Sequence, residues 1–127
     1  MLGNFQRSQI RIEIPATEIQ LYDSLTKPEL MEQWLWPQRL SAGLPERLYP
    51  GLTFTTWLGP IAVEHQVEQV ASHGLQLILR RGIDGIHEWY WGEGWVQSSL
   101  EGISLLPLDL GQSLTLLRLR DFIRRYF

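Results

Sequence analysis

Apolar and polar residues alternate from Phe5 to Ile14, with Ile10, Ile12 and Ile14 on one side and Arg7, Gln9, Arg11 and Glu13 on the other. A period of two sends successive side chains to opposite faces of an extended chain, so this stretch predicts a half-buried strand. Pro15 stops it. From Ala16 to Leu25 the spacing becomes helical, with Ile19, Tyr22 and Leu25 inward and Thr17 placed to cap the first turn. Pro28 opens a second short helix, PELMEQWL, whose apolar side is Leu30, Met31 and Trp34. Trp36-Pro37 ends it, and Gln38 to Gly51, rich in Pro, Gly and Arg, reads as an irregular loop.

The middle of the chain is a run of hairpins. Leu52 to Leu58 and Ile61 to Val70 flank Gly59-Pro60, and pairing Leu58 with Ile61 sets Thr56 opposite Val63 and Phe54 opposite His65. Three later turns, Ser72-His73-Gly74, Ile83-Asp84-Gly85 and Gly92-Glu93-Gly94, each end in Gly, as a three-residue loop closing on a left-handed residue requires. That form pairs Ala71 with Leu75, Gly82 with Ile86 and Trp91 with Trp95, and it keeps odd-numbered residues on the inner face. Val63, Val67, Leu75, Leu77, Leu79, Trp89, Trp91, Trp95, Ile103 and Leu105 are then inside. Ile78, Tyr90, Val96 and Leu100 are left outside, an apolar patch suited to a homodimer through the outer sheet face.

The last stretch, Leu110 to Phe127, carries Leu116, Leu119, Phe122, Ile123 and Tyr126 on one stripe of a helix, with Arg118, Asp121, Arg124 and Arg125 opposite. Leu114 and Leu117 fall behind the stripe, so the start of this helix needs cover on both sides, and an antiparallel sheet with one apolar face is the natural wrapper. Leu114 to Arg120 also partly alternates, a competing strand reading that the helix preference of Leu and Arg ranks second. The fold expected is α+β: a curved antiparallel sheet of about six strands around a long C-terminal helix, with two short helices between the first two strands.

With 127 residues the chain has the length of one domain spanning residues 1–127. A net charge of -3 and 44% hydrophobic residues describe an ordinary soluble protein and offer no basic surface for nucleic acid. No stretch approaches a membrane span and the first residues lack an apolar signal segment, which predicts a cytoplasmic protein without stable membrane insertion. Cysteine is absent, removing disulfides, thiolate nucleophiles and thiolate metal sites together. His65, His73 and His87 lack ligand spacing, and no phosphate loop, dinucleotide glycine pattern or nucleophile elbow occurs, so no metal or cofactor is expected.

The run Ile12-Glu13-Ile14-Pro15-Ala16-Thr17-Glu18 through Tyr22-Asp23, then Leu25-Thr26-Lys27-Pro28-Glu29-Leu30-Met31 and Gln33-Trp34, resembles the opening strand and helix pair of the START-like (SRPBCC) superfamily. That superfamily includes Bet v 1-like proteins, polyketide cyclase-like proteins and Hsp90-activator-like domains. The matching run covers the first third of the chain; beyond it the likeness lies in the order of elements. The resemblance implies a helix-grip fold, the same one the periodicity predicts, and it does not select among ligand carriers, enzymes and cochaperones.

Candidate chemistry comes from following the expected pairings across the sheet. They align Phe54, His65, Arg81, His87 and Ser99 on the inner face, with Trp89 and Gln97 in the next row, Trp91 beyond them and Glu101 one step along the last strand. Buried Arg and His need partners, so such a row is either a satisfied network or a ligand site. Three functions are open. A carrier or sensor would take a small hydrophobic or amphipathic ligand between sheet and final helix, at Trp34, Phe54, His65, Arg81, His87, Trp89, Trp91, Gln97, Ser99 and Glu101. A cyclase or dehydratase would use His65, His87 or Glu101 as acid or base. A cochaperone-like module would use the outer face with Trp57 and Tyr90. An anionic or carbonyl-bearing ligand is expected, held by Arg81 in fork geometry.

Overall fold

The computed structural model describes residues 3–127. In chain order it runs β1 (Asn4–Glu13), α1 (Glu18–Thr26), α2 (Pro28–Leu35), β2 (Arg39–Leu40), β3 (Thr53–Leu58), β4 (Ile61–Ala71), β5 (Gly74–Arg81), β6 (Asp84–Gly92), β7 (Trp95–Ser104) and α3 (Leu108–Tyr126). The fold is α+β, with one curved sheet of seven strands in the order β1-β7-β6-β5-β4-β3-β2, antiparallel throughout and open between its edges β1 and β2. The extra strand beyond the expected six is β2, a two-residue pairing of Arg39 and Leu40 with Trp57 and Thr56 inside the predicted loop. No helix among the described residues is long and apolar enough to cross a membrane.

The N-terminal third forms as its pattern dictates. β1 turns Ser8, Ile10 and Ile12 inward and Arg7, Gln9, Arg11 and Glu13 outward. Thr17 caps α1 in a reciprocal capping box with Gln20, which satisfies two donors at the helix start. Leu21 and Leu25 carry the buried side of α1, whereas Ile19, expected inward, is 71% exposed. α2 buries Leu30, Met31 and Trp34, and the Trp34 indole N–H donates to the Ser24 carbonyl at 2.8 Å, tying the two helices together.

α3 lies against the inner face of the sheet and buries Leu108, Gln112, Leu116, Leu119, Phe122 and Ile123. These recur every three or four residues, one stripe of a helix. Tyr126, expected on that stripe, is half exposed in the last turn, its ring stacked on Phe122 at 5.0 Å. The back of the first turns is left uncovered among the described residues: Leu110, Leu114 and Leu117 stay about half exposed, against the expectation of cover on both sides.

The hairpins depart from the uniform three-residue turn in instructive ways. β3 and β4 pair as expected, with Phe54 opposite His65. The β4–β5 turn is one residue shorter, since Gly74 pairs with Ala71, and a bulge between Val67 and Gln69 moves the register by one more, which restores the face but sets His65 opposite Leu79 and not Arg81. Both Val67 and Val70 thereby pack toward the core, and Leu75, Leu77 and Leu79 stay inside. The β5–β6 connection is longer: Leu79 pairs with Gly85, so Leu77, and not Arg81, faces His87. A Cβ on Gly85 would collide with the Glu101 carbonyl, so the close approach of β6 and β7 there demands glycine.

At the last turn Gly92 pairs with Trp95 across Glu93-Gly94, with Gly94 at φ 78°. A two-residue loop reverses the face of everything beyond it. Val96, Ser98, Leu100 and Ser104 are therefore buried, while Trp95, Gln97, Ser99, Glu101 and Ile103 lie on the outer face. The outer neighbours confirm the direction: the Arg7 Nε donates to the Glu101 carboxylate at 3.1 Å, and the Arg11 guanidinium sits 4.1 Å over the Trp95 ring. With Val96 and Leu100 in the core, the apolar outer patch expected to join two copies loses half its members. Leu105, expected inside, is 78% exposed.

Candidate functional site

Between the inner face of the sheet, α2 and the first half of α3 lies a pocket of about 300 Å³. Its body is apolar: Leu75, Leu77 and Leu79 from β5, Phe54 from β3, Trp89 from β6, Leu100 from β7, and Leu25, Met31 and Trp34 from the two short helices. Trp34 meets the Trp89 ring edge-on at 5.9 Å. Leu58 and Ile61 at the β3–β4 turn, with Leu110 and Leu114 on α3, line the pocket while remaining open to solvent, and so form its rim.

The polar groups in the pocket are few and all neutral. Thr56 and His65 come from β3 and β4, and the His65 Nε2 lies 3.0 Å from the Thr56 hydroxyl oxygen. Phe54 stacks on the His65 ring at 4.7 Å, and His65 Nδ1 is buried without a partner. His87 on β6 packs against Trp89 and places its Nε2 2.8 Å from the Ser98 hydroxyl. Gln112, from α3, reaches the same hydroxyl at 2.8 Å and the Ser98 carbonyl at 2.7 Å through its amide nitrogen. Its Oε1 is buried and unpaired.

Burial disfavours the charged imidazolium, and it holds His65 down to about 4, from the ordinary 6.5. The same desolvation, reinforced by the charge His65 would carry, lowers His87 to about 3. Both rings are therefore neutral near pH 7. No Asp, Glu, Lys or Arg lines the pocket among the described residues.

Of the residues expected at a site, Trp34, Phe54, His65, His87 and Trp89 are brought together here. Trp91 is instead sealed in the core beside Tyr22, outside the pocket lining. Arg81 ends β5 opposite Val63, mostly exposed, with its Nε 3.9 Å from the Glu64 carboxylate, and so cannot hold a ligand in the pocket. Gln97, Ser99 and Glu101 face outward for the parity reason given above, which also removes Glu101 as an acid or base acting there. In their place stand Ser98, which the expected register turned outward, Gln112 on α3, upstream of the stripe read from the sequence, and Thr56, which the expected pairing already set inside opposite Val63.

No family model and no curated protein sequence matches the chain. Solved structures do. Protein CV1439 from Chromobacterium violaceum superposes with a TM-score of 0.76 at 15% identity, covering 92% of this chain and 96% of that one. The fold is the helix grip. DynU16, from the dynemicin biosynthetic locus, shares the grip with a TM-score of 0.72 at 16% identity over 93% of this chain, which spans about half (47%) of DynU16. The Aha1 dimer from Colwellia psychrerythraea shares it with a TM-score of 0.63 at 15% identity, covering 93% and 96% of the two chains. The START-like resemblance read from the first third of the sequence holds at the level of the grip, and identities this low carry the fold alone.

Proposed function

We propose that this helix-grip protein holds a small, uncharged, largely apolar molecule in the pocket, as a carrier or sensor and without transforming it. The observation that carries this reading is the lining itself: leucines and tryptophans around about 300 Å³, with a handful of neutral hydrogen-bonding groups and no charged side chain among the described residues. An apolar void of about 150 Å³ accepts benzene, so twice that volume suits a molecule of about two fused rings. The anionic ligand expected from the sequence is replaced by a neutral one, because Arg81 lies elsewhere and neither histidine carries charge near pH 7. A carboxylate would lose its hydration and meet no cation.

The same values place binding ahead of cyclase or dehydratase chemistry. An acid or base works best when it titrates near the working pH, and His65 and His87 lie well below it. The cochaperone reading rests on Trp57 and Tyr90 of the outer face, which stay part-exposed there, and the Aha1 dimer shares the fold alone at 15% identity, so the apolar pocket is preferred. The cytoplasm is the compartment this reading assumes. Naphthalene and 1-naphthoate, alike in size and different in charge, test it. Naphthalene should quench tryptophan emission saturably through Trp34 and Trp89, and 1-naphthoate should bind at least about tenfold more weakly. Tighter binding of the anion would overturn the proposal.

A further inference from the structure

The hydrogen-bond inventory around Ser98 leaves one account open. The Gln112 amide nitrogen faces the Ser98 carbonyl at 2.7 Å and the Ser8 carbonyl at 3.4 Å, both pure acceptors, so the amide cannot be turned over and its oxygen is Oε1 as placed. That nitrogen also donates to the Ser98 hydroxyl oxygen at 2.8 Å. The Ser98 hydroxyl then has its own proton to give, and among the described residues the acceptor within reach is His87 Nε2 at 2.8 Å. His87 Nε2 accepts, and the neutral ring therefore carries its proton on Nδ1. The group ends in an acceptor at Gln112 Oε1, buried without a partner, and in His87 Nδ1, the ring nitrogen that the contact to Ser98 leaves over; both side chains line the pocket.

Gln112 is 4% exposed and lies on the buried stripe of α3, where a leucine would fit the pattern of Leu108, Leu116 and Leu119. A buried carbonyl without a donor costs stability, so an amide held rigidly at such a position asks for a partner that the chain does not supply. We infer that Gln112, Ser98 and His87 form the seat for a hydroxyl group, so that the molecule taken is a phenol or an alcohol with a compact apolar body. A ketone or an ether offers Gln112 Oε1 no hydrogen. An ammonium would bring a charge that nothing in the lining neutralises. A hydroxyl both donates and accepts, which matches that acceptor and that ring nitrogen. The body of the molecule then lies among Leu77, Trp89 and Leu100 toward the open rim. This rests on the pocket being a ligand site, as proposed above.

The test compares 2-naphthol, 2-methoxynaphthalene and naphthalene by calorimetry on the full chain, then repeats the series on Gln112→Met. The seat predicts that 2-naphthol binds about tenfold or more tighter than the other two, since only it pairs the buried acceptor. In Gln112→Met that preference should vanish while naphthalene binding persists. Should Gln112→Met fail to fold, the ratio measured on the unaltered protein decides alone. Equal binding of the three probes overturns the hydroxyl seat and leaves the apolar pocket standing. Binding of none overturns the pocket reading and the seat with it.

Discussion

A chain ending at Gln112 should lose cooperative folding altogether. Removing Ser113 to Phe127 takes away Leu116, Leu119, Phe122 and Ile123, each no more than 8% exposed in the complete protein. Burying a side chain of this size contributes roughly 1.5 to 3 kcal/mol, so four of them amount to about 6 to 12, against a total stability of about 5 to 15 for a typical domain. The loss is not confined to the helix, because the inner faces of Leu75, Val96 and their neighbours would then meet water. Urea denaturation followed by tryptophan emission checks it. A truncated chain that still unfolds in one sharp transition would show that the sheet and the two short helices hold a core without α3.

The second large effect is a loss of stability in mild acid. The folded chain refuses protons on His65 until about pH 4 and on His87 until about pH 3, whereas the unfolded chain takes them up from about 6.5. Histidines with lowered values stabilise the fold fully above 6.5, and that contribution falls as the pH drops through the interval down to the folded values. Each pH unit at which one proton is bound only by the unfolded chain costs about 1.4 kcal/mol, so the two rings together cost about 4 kcal/mol by pH 5. Carboxylates titrate mostly below this window, which isolates the histidines. Unfolding free energy measured from pH 7 to pH 5 should fall steeply in the native protein and stay nearly level in the double variant His65→Leu, His87→Leu. An unchanged slope in the double variant would mean that the rings are hydrated in the folded state.

The sequence made the grip legible because its strongest periods are local. Thr17 and Gln20 form the cap, Pro28 opens α2, and the 116, 119, 123 spacing makes α3, all within a turn or two of chain. The site was less legible because it depends on registers that accumulate across four hairpins. The shortened β4–β5 turn and the bulge at Glu68 together moved the register by two residues, so His65 and Leu77 kept their faces while Arg81 left the row. No bulge offset the two-residue turn at Glu93-Gly94, so Ser98 replaced Gln97 and Ser99. The correct face was written in the strand itself: Val96 and Leu100 alternate with Gln97, Ser99 and Glu101, and a charged Glu101 facing the core was the warning. Trp95 and Ile103 pulled the other way, since Arg11 shelters the Trp95 ring on the outer face. Gln112 could have been found by extending the stripe of α3 backward by two turns, from Leu116 to Leu108.

The central claim is that the space between sheet and α3 exists to be filled by another molecule, and filling it from within tests this most directly. Leu77 stands in the middle strand of the pocket, 3% exposed, beside Val67 and His87. In a close-packed core its replacement by Trp would cost about 1 to 3 kcal/mol through overpacking, whereas in a pocket the larger ring has room. Leu77→Trp should therefore unfold at a urea midpoint no lower than that of the native protein and should no longer bind 2-naphthol by calorimetry. A variant that is strongly destabilised, or that folds well and binds 2-naphthol as before, would contradict the account.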